Sequence, residues 1–93
     1  MKLTARHLVV FGRVQGVGFR AYLEYKAREF GVTGWVRNRS DGTVEAVVQG
    51  APAAVEAMLG CARRGPRSAL VSEVRVSDCA GEDYDGFAMR PTL

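Results

Sequence analysis

The stretch Gly12-Arg13-Val14-Gln15-Gly16-Val17-Gly18-Phe19-Arg20 carries the residue types and spacing best suited to chemistry. An apolar, strand-like run precedes it and a helical pattern follows it. A helix start leaves several backbone N–H groups without intrahelical acceptors, and the helix dipole makes that end positive. Glycines allow a tight turn and close approach to a ligand. Together these features suit an anion of about phosphate size. Arg20 falls in the first helical turn, where a cation is electrostatically unfavourable by about 0.3–1 kcal/mol. A bound phosphate would reverse that sign by accepting amide hydrogens and a charge-assisted guanidinium pair together. A plainer alternative is an ion pair between Arg20 and Glu24 one turn later, worth a few tenths of a kcal/mol.

Other patterns fit less well. Gly16-x-Gly18-x-x-Ala21 formally matches a dinucleotide fingerprint, and Asp41 lies about 20 residues further on. However, Asp41 belongs to a predicted hairpin turn between antiparallel strands, whereas a dinucleotide fold needs a parallel β-α-β unit and more chain. No Gly-Lys-Ser/Thr follows the loop, so the Walker phosphate loop is absent. Asn38 reads, on the residues alone, as a polar strand end before a turn. Asn38-Arg39-Ser40 is a formal glycosylation sequon, set aside for lack of a signal peptide. His7 lies upstream of the loop and is expected to be structural or on the surface. Arg63, Arg64 and Arg67 suit a helix C-terminus, where cations meet the dipole favourably.

The elements that must position these residues alternate along the chain. Leu8 to Val14 is strand-like, apolar on both parities, which suits a strand covered on both faces. Phe19, Tyr22, Leu23, Ala27 and Phe30 recur at helical spacing, and Gly31-Val32 supplies a Schellman-type stop. Thr33–Arg39 and Thr43–Gln49 read as strands joined by Ser40-Asp41-Gly42. Pro52 opens a second helix with a Val55, Met58, Leu59 and Ala62 stripe, ended by Gly65-Pro66. Leu70 to Val76 alternates, with Leu70, Ser72, Val74 and Val76 expected on one face. A short strand around Phe87 to Arg90 precedes Pro91, which fits an edge. The order β-α-β-β-α-β predicts an α+β, ferredoxin-like sandwich. It has a four-stranded antiparallel sheet, two helices on one face and a short C-terminal edge strand.

Composition sets the limits. The 93 residues suit a single domain, 1–93, with a modest core. Apolar residues at 47% and charged residues at 25% are ordinary for a globular protein. A net charge of +3 attracts small anions or acidic surfaces without choosing among them. Cys61 and Cys79 form no Cys-x-x-Cys pair, and with one histidine no metal site is expected. Two separate cysteines and no export signal point to a reduced, cytoplasmic setting. The early apolar run Leu8–Phe11 is too short to span a membrane.

The loop resembles the phosphate-binding loop of the acylphosphatase family. A second block also resembles that family: Gly34-Trp35-Val36-Arg37-Asn38, then Asp41-Gly42-Thr43-Val44-Glu45, then Gly50. The two blocks stand in the family's order, and the likeness weakens beyond Gly65. The resemblance implies hydrolysis of acyl phosphates, with no cofactor and no metal. It implies that Arg20 binds phosphate and that Asn38 positions the attacking water. It also implies that the backbone amides of Gln15, Gly16, Val17, Gly18 and Phe19 form the cradle. Expected ligands are a small acyl phosphate, with inorganic phosphate or sulfate as product or analogue. Neither nucleic acid nor membrane is expected as a partner, and a monomer is expected to suffice.

Two rival readings fit the sequence less well. RNA-recognition domains share this element order, but their aromatic RNP1 pattern is missing here; Trp35 belongs to the second block instead. Domains resembling acylphosphatases also occur fused in hydrogenase-maturation carbamoyltransferases. A stand-alone enzyme is expected here, because the chain ends soon after its last strand without a linker.

Overall fold

The computed structural model describes residues 2–93. The chain runs β1 (Thr4–Arg13), α1 (Phe19–Phe30), β2 (Thr33–Asn38), β3 (Val44–Gly50), α2 (Pro52–Arg64), β4 (Leu70–Asp78) and β5 (Phe87–Met89). This is the expected ferredoxin-like α+β order. The sheet order is β4-β1-β3-β2-β5, with β1–β4 joined antiparallel and β5 parallel to β2 at one edge. The sheet is therefore five-stranded and mixed. The short terminal strand occupies the edge expected for it.

Side-chain alternation aims Leu8, Val10, Val36, Val44, Ala46 and Val48 at the helices, all of them fully buried. Phe19, Leu23 and Ala27 of α1 and the Val55–Ala62 stripe of α2 complete one core. Each large side chain buried there contributes about 1.5–3 kcal/mol. Gly31 ends α1 in the left-handed region, with Val32 N–H donated to Ala27 O at 2.8 Å. Pro52 opens α2, and Gly65 N–H caps Cys61 O at 2.8 Å.

Two expectations need correction. β1 begins at Thr4 rather than Leu8, because its ladder to β3 starts at the Thr4–Gly50 pair and polarity does not interrupt it. In β4 the even alternation breaks. Phe11 opposes Glu73 while Gly12 opposes Val71, which leaves Ser72 as the extra residue of a β-bulge. The bulge reverses the facing of what precedes it. Leu70 is 69% exposed, and Val71 packs with Val74 and Val76 against the core.

Topology sets which ends meet. β1 and β2 both run antiparallel to β3, so they share a direction and their C-terminal ends lie at one end of the sheet. The loop after β1 and the hairpin after β2 are thus neighbours. The pairing of β2 with the chain's tail continues past β5. Arg90 N–H is donated to Val36 O, Leu93 N–H to Asn38 O, and Ser40 N–H to Leu93 O. No described helix is long and apolar enough to cross a membrane.

Candidate active site

The loop between β1 and α1 is anchored at both ends by buried side chains. Val14 is 1% exposed and Phe19 2%. Phe19 also meets the Tyr22 ring edge-on, with centroids 6.1 Å apart. The intervening chain bends through Gly16 (φ 73°) and Gly18 (φ 79°), both left-handed. An L side chain pays roughly 1–2 kcal/mol for that conformation, which explains the glycines. Gly18 is the N-cap of α1 and has no side-chain cap hydrogen bond. The first helical bond runs from Tyr22 N–H to Gly18 O. Among the described residues, no backbone N–H from Gln15 to Phe19 has a protein acceptor. These amides lie on an exposed or half-exposed turn at a helix's positive end, except at buried Phe19.

Arg20 follows directly, in the first turn of α1, and is half-buried. The plain alternative for it fails: Glu24 pairs with Arg28 at 3.5 Å, and no described acidic group pairs with Arg20. Its guanidinium is therefore uncommitted among the described residues.

Asn38 is the last residue of β2 and is half-buried. Its backbone is fixed by register against Val44 and by Leu93 N–H on its carbonyl at 3.1 Å. Its side-chain amide makes no hydrogen bond to a described group, although no buried polar side-chain atom is left unsatisfied. The amide is thus held at a fixed base and remains open to solvent. The hairpin beyond it closes through Arg39 N–H on Thr43 O at 2.9 Å. The Asp41 carboxylate caps that turn, accepting from Thr43 N–H at 3.0 Å and Thr43 Oγ1 at 2.6 Å. These bonds from Thr43 hold the Asp41 carboxyl below its ordinary range. Asp41 is a turn residue, as its place in the hairpin required.

The side chain of Gln15 was missed by the sequence reading, which assigned only its backbone amide. Gln15 Nε2 donates to Arg39 O at 2.7 Å and to Thr43 O at 2.8 Å, joining the loop to the hairpin. No local pattern announces a contact across 24 residues.

The remaining candidates are structural. His7 Nε2 and Arg37 Nε both donate to the Glu45 carboxylate at 2.7 Å, on the sheet face away from the helices. Burial opposes ionisation of Glu45, but the bonds from His7 and Arg37 outweigh it and lower the carboxyl's pKa. Trp35 is 8% exposed, with the guanidiniums of Arg37 and Arg90 over its ring at 4.8 and 4.6 Å. Little free ring remains for a base to stack upon. Among the described residues, no cluster of His, Cys, Asp or Glu could hold a metal ion. Cys61 and Cys79 are both free thiols. A hollow of about 420 Å³ lies at the opposite end of the sheet, beside Thr4, Gln49 and Cys79. Glu82 and Asp83 line it and no cation does, so its charge disfavours an anion.

The chain matches the acylphosphatase family profile over residues 6–89. It is 52% identical to an acylphosphatase of Thermococcus kodakarensis, across 94% of this chain and 96% of that one. It is 50% identical to one of Rhodospirillum rubrum, across 90% and 92%. The fold superposes on an acylphosphatase structure from Coxiella burnetii with a TM-score of 0.91 at 40% identity, covering 95% and 93% of the two chains.

Proposed function

The chain belongs to the acylphosphatase family, enzymes that hydrolyse acyl phosphates, and from that premise we propose the groups that carry the reaction. The amides of Gln15 to Phe19 and the Arg20 guanidinium hold the phosphoryl oxygens. Asn38 holds a water in line with the bond from phosphorus to the acyl oxygen. The supporting observation is the run of amides without protein acceptors beside an uncommitted guanidinium.

The chemistry suits this equipment. Water attacks phosphorus directly, the bond to the acyl oxygen breaks, and the bonding pair leaves with the carboxylate. A phosphoryl oxygen of the substrate takes the water's proton. The products are a carboxylate and inorganic phosphate, with no covalent enzyme intermediate. A carboxylate departs without a strong general acid. Phosphoryl transfer of this kind asks mainly for positioning and for stabilisation of charge on the equatorial oxygens. Amides and Arg20 fixed in advance supply that stabilisation. The reading includes a self-sufficient monomeric domain in the cytoplasm that needs neither metal nor cofactor.

Benzoyl phosphate hydrolysis tests it. Arg20→Ala should lower kcat/KM about 10²–10³-fold, the size found for one fixed donor at developing charge. The circular dichroism spectrum should be unchanged, and wild-type rates should be unaffected by a chelator. A variant that keeps wild-type rates removes Arg20 from the site, and a rate lost to the chelator removes the metal-free reading.

A further inference from the structure

Holding the phosphoryl group and holding the water fall to two separate pieces of chain. The first is the loop after β1, and the second is the end of β2. β3 lies between those strands, so no ladder joins them directly. Residues 15–17 make no backbone hydrogen bond to the rest of the described chain. Their hydrogen bonds to it are the two donated by Gln15 Nε2.

Both acceptors sit immediately beyond Asn38. Arg39 is the next residue, and Thr43 precedes Val44, the register partner of Asn38. Arg39 and Thr43 are also joined to each other at 2.9 Å, so the Gln15 amide grips a closed unit rather than a loose strand end. Both of its hydrogens are used, which fixes its orientation as well as its distance. Its oxygen makes no hydrogen bond to the described chain. We propose that the Gln15 side chain is a positioning residue, joining the phosphate-holding loop to the hairpin so that the water at Asn38 stands in line with phosphorus. This inference rests on the proposed role of Asn38.

In-line attack is sensitive to placement, and a shift of about 1 Å can cost 10²-fold. Phosphate binding depends on loop amides and Arg20, which removal of the Gln15 side chain leaves in place. Turnover should therefore suffer more than anion affinity. A residue acting through Asn38 should also lose its effect once Asn38 is gone.

The experiment measures kcat, KM and the inhibition constant of inorganic phosphate for Gln15→Ala, Asn38→Ala and the double variant. Gln15→Met keeps the length without the donors, and serves if the alanine variant melts below the assay temperature. Expected is a fall in kcat of about 10- to 100-fold, with phosphate inhibition changed by no more than about threefold. In the Asn38→Ala background the further loss should be under about threefold. The inference is overturned if kcat holds, or if phosphate inhibition weakens by the same factor as kcat. Losses that multiply in the double variant also overturn it, while leaving the Asn38 reading intact. A near-normal Asn38→Ala variant removes that reading, and this inference with it.

Discussion

Arg20 stands where helix electrostatics disfavour a cation, and no acidic group among the described residues neutralises it. The same turn offers amides without acceptors. A dianion relieves both conditions at once, so shape should matter as well as charge. Arg20→Lys keeps the charge and loses the planar fork, and should fall at least about 10²-fold in kcat/KM for benzoyl phosphate. Asn38 predicts a different signature. Asn38→Ala should lower kcat by about 10²-fold while leaving phosphate inhibition nearly unchanged, because its proposed partner is the water and not the phosphoryl group. Steady-state kinetics with phosphate as inhibitor separates the two. Arg20 stands out in the sequence as a candidate because it breaks a local rule, and local rules tend to be broken at functional sites. Asn38 is a candidate only by family likeness, since a polar residue at a strand end has an ordinary explanation. The Gln15 side chain was legible by neither route. Its partners are backbone carbonyls of a distant turn, and carbonyls leave no trace in residue identity.

Among the elements, the turn into α1 is defined by backbone conformation. Gly18 has a left-handed φ of 79°, and a Cβ there would meet nothing within 4 Å. Gly18→Ala therefore carries a conformational cost and no steric one, about 1–2 kcal/mol. Gly18→Asn should cost less, because asparagine visits this region more readily. Thermal melts of the two variants should rank in that order, and equal melting points would show that the turn relaxes. The helices were read accurately, since their periodicity, Pro52 start and Gly31 and Gly65 stops are local signals. β4 was read correctly only beyond its bulge. Alternation assumes one residue opposite one, and Ser72 sits where two face one.

Across the whole molecule, the polar sheet face is joined by Glu45, which links His7 of β1 and Arg37 of β2 to β3. The Glu45 carboxyl titrates below its ordinary 4.5 when folded. The unfolded chain therefore takes up this proton first. The stabilisation is present above the ordinary carboxylate range and is lost as pH falls through and below it. Glu45→Gln should cost about 1.5–3 kcal/mol near neutral pH. Its melting point should converge on that of the wild type between roughly pH 5 and pH 2. Parallel curves across that range would assign the acid sensitivity to other groups. The fold class was legible in the element order because β-α-β-β-α-β has one common packing solution. The parallel pairing of the tail along β2 was less so, because a short strand before a proline identifies an edge without choosing its neighbour.

That tail changes what the molecule offers to others of its kind. A sheet ordinarily leaves two rows of unpaired amides and carbonyls to recruit foreign strands. Here the stretch from Gly86 to Leu93 occupies the outer side of β2. The edge on that side becomes β5, only 3 residues long and followed by Pro91, while at the far margin Glu73, Arg75 and Asp78 of β4 set charge against foreign strands. By folding its own end back as a selvage, the chain guards the strand bearing Asn38 from aggregation.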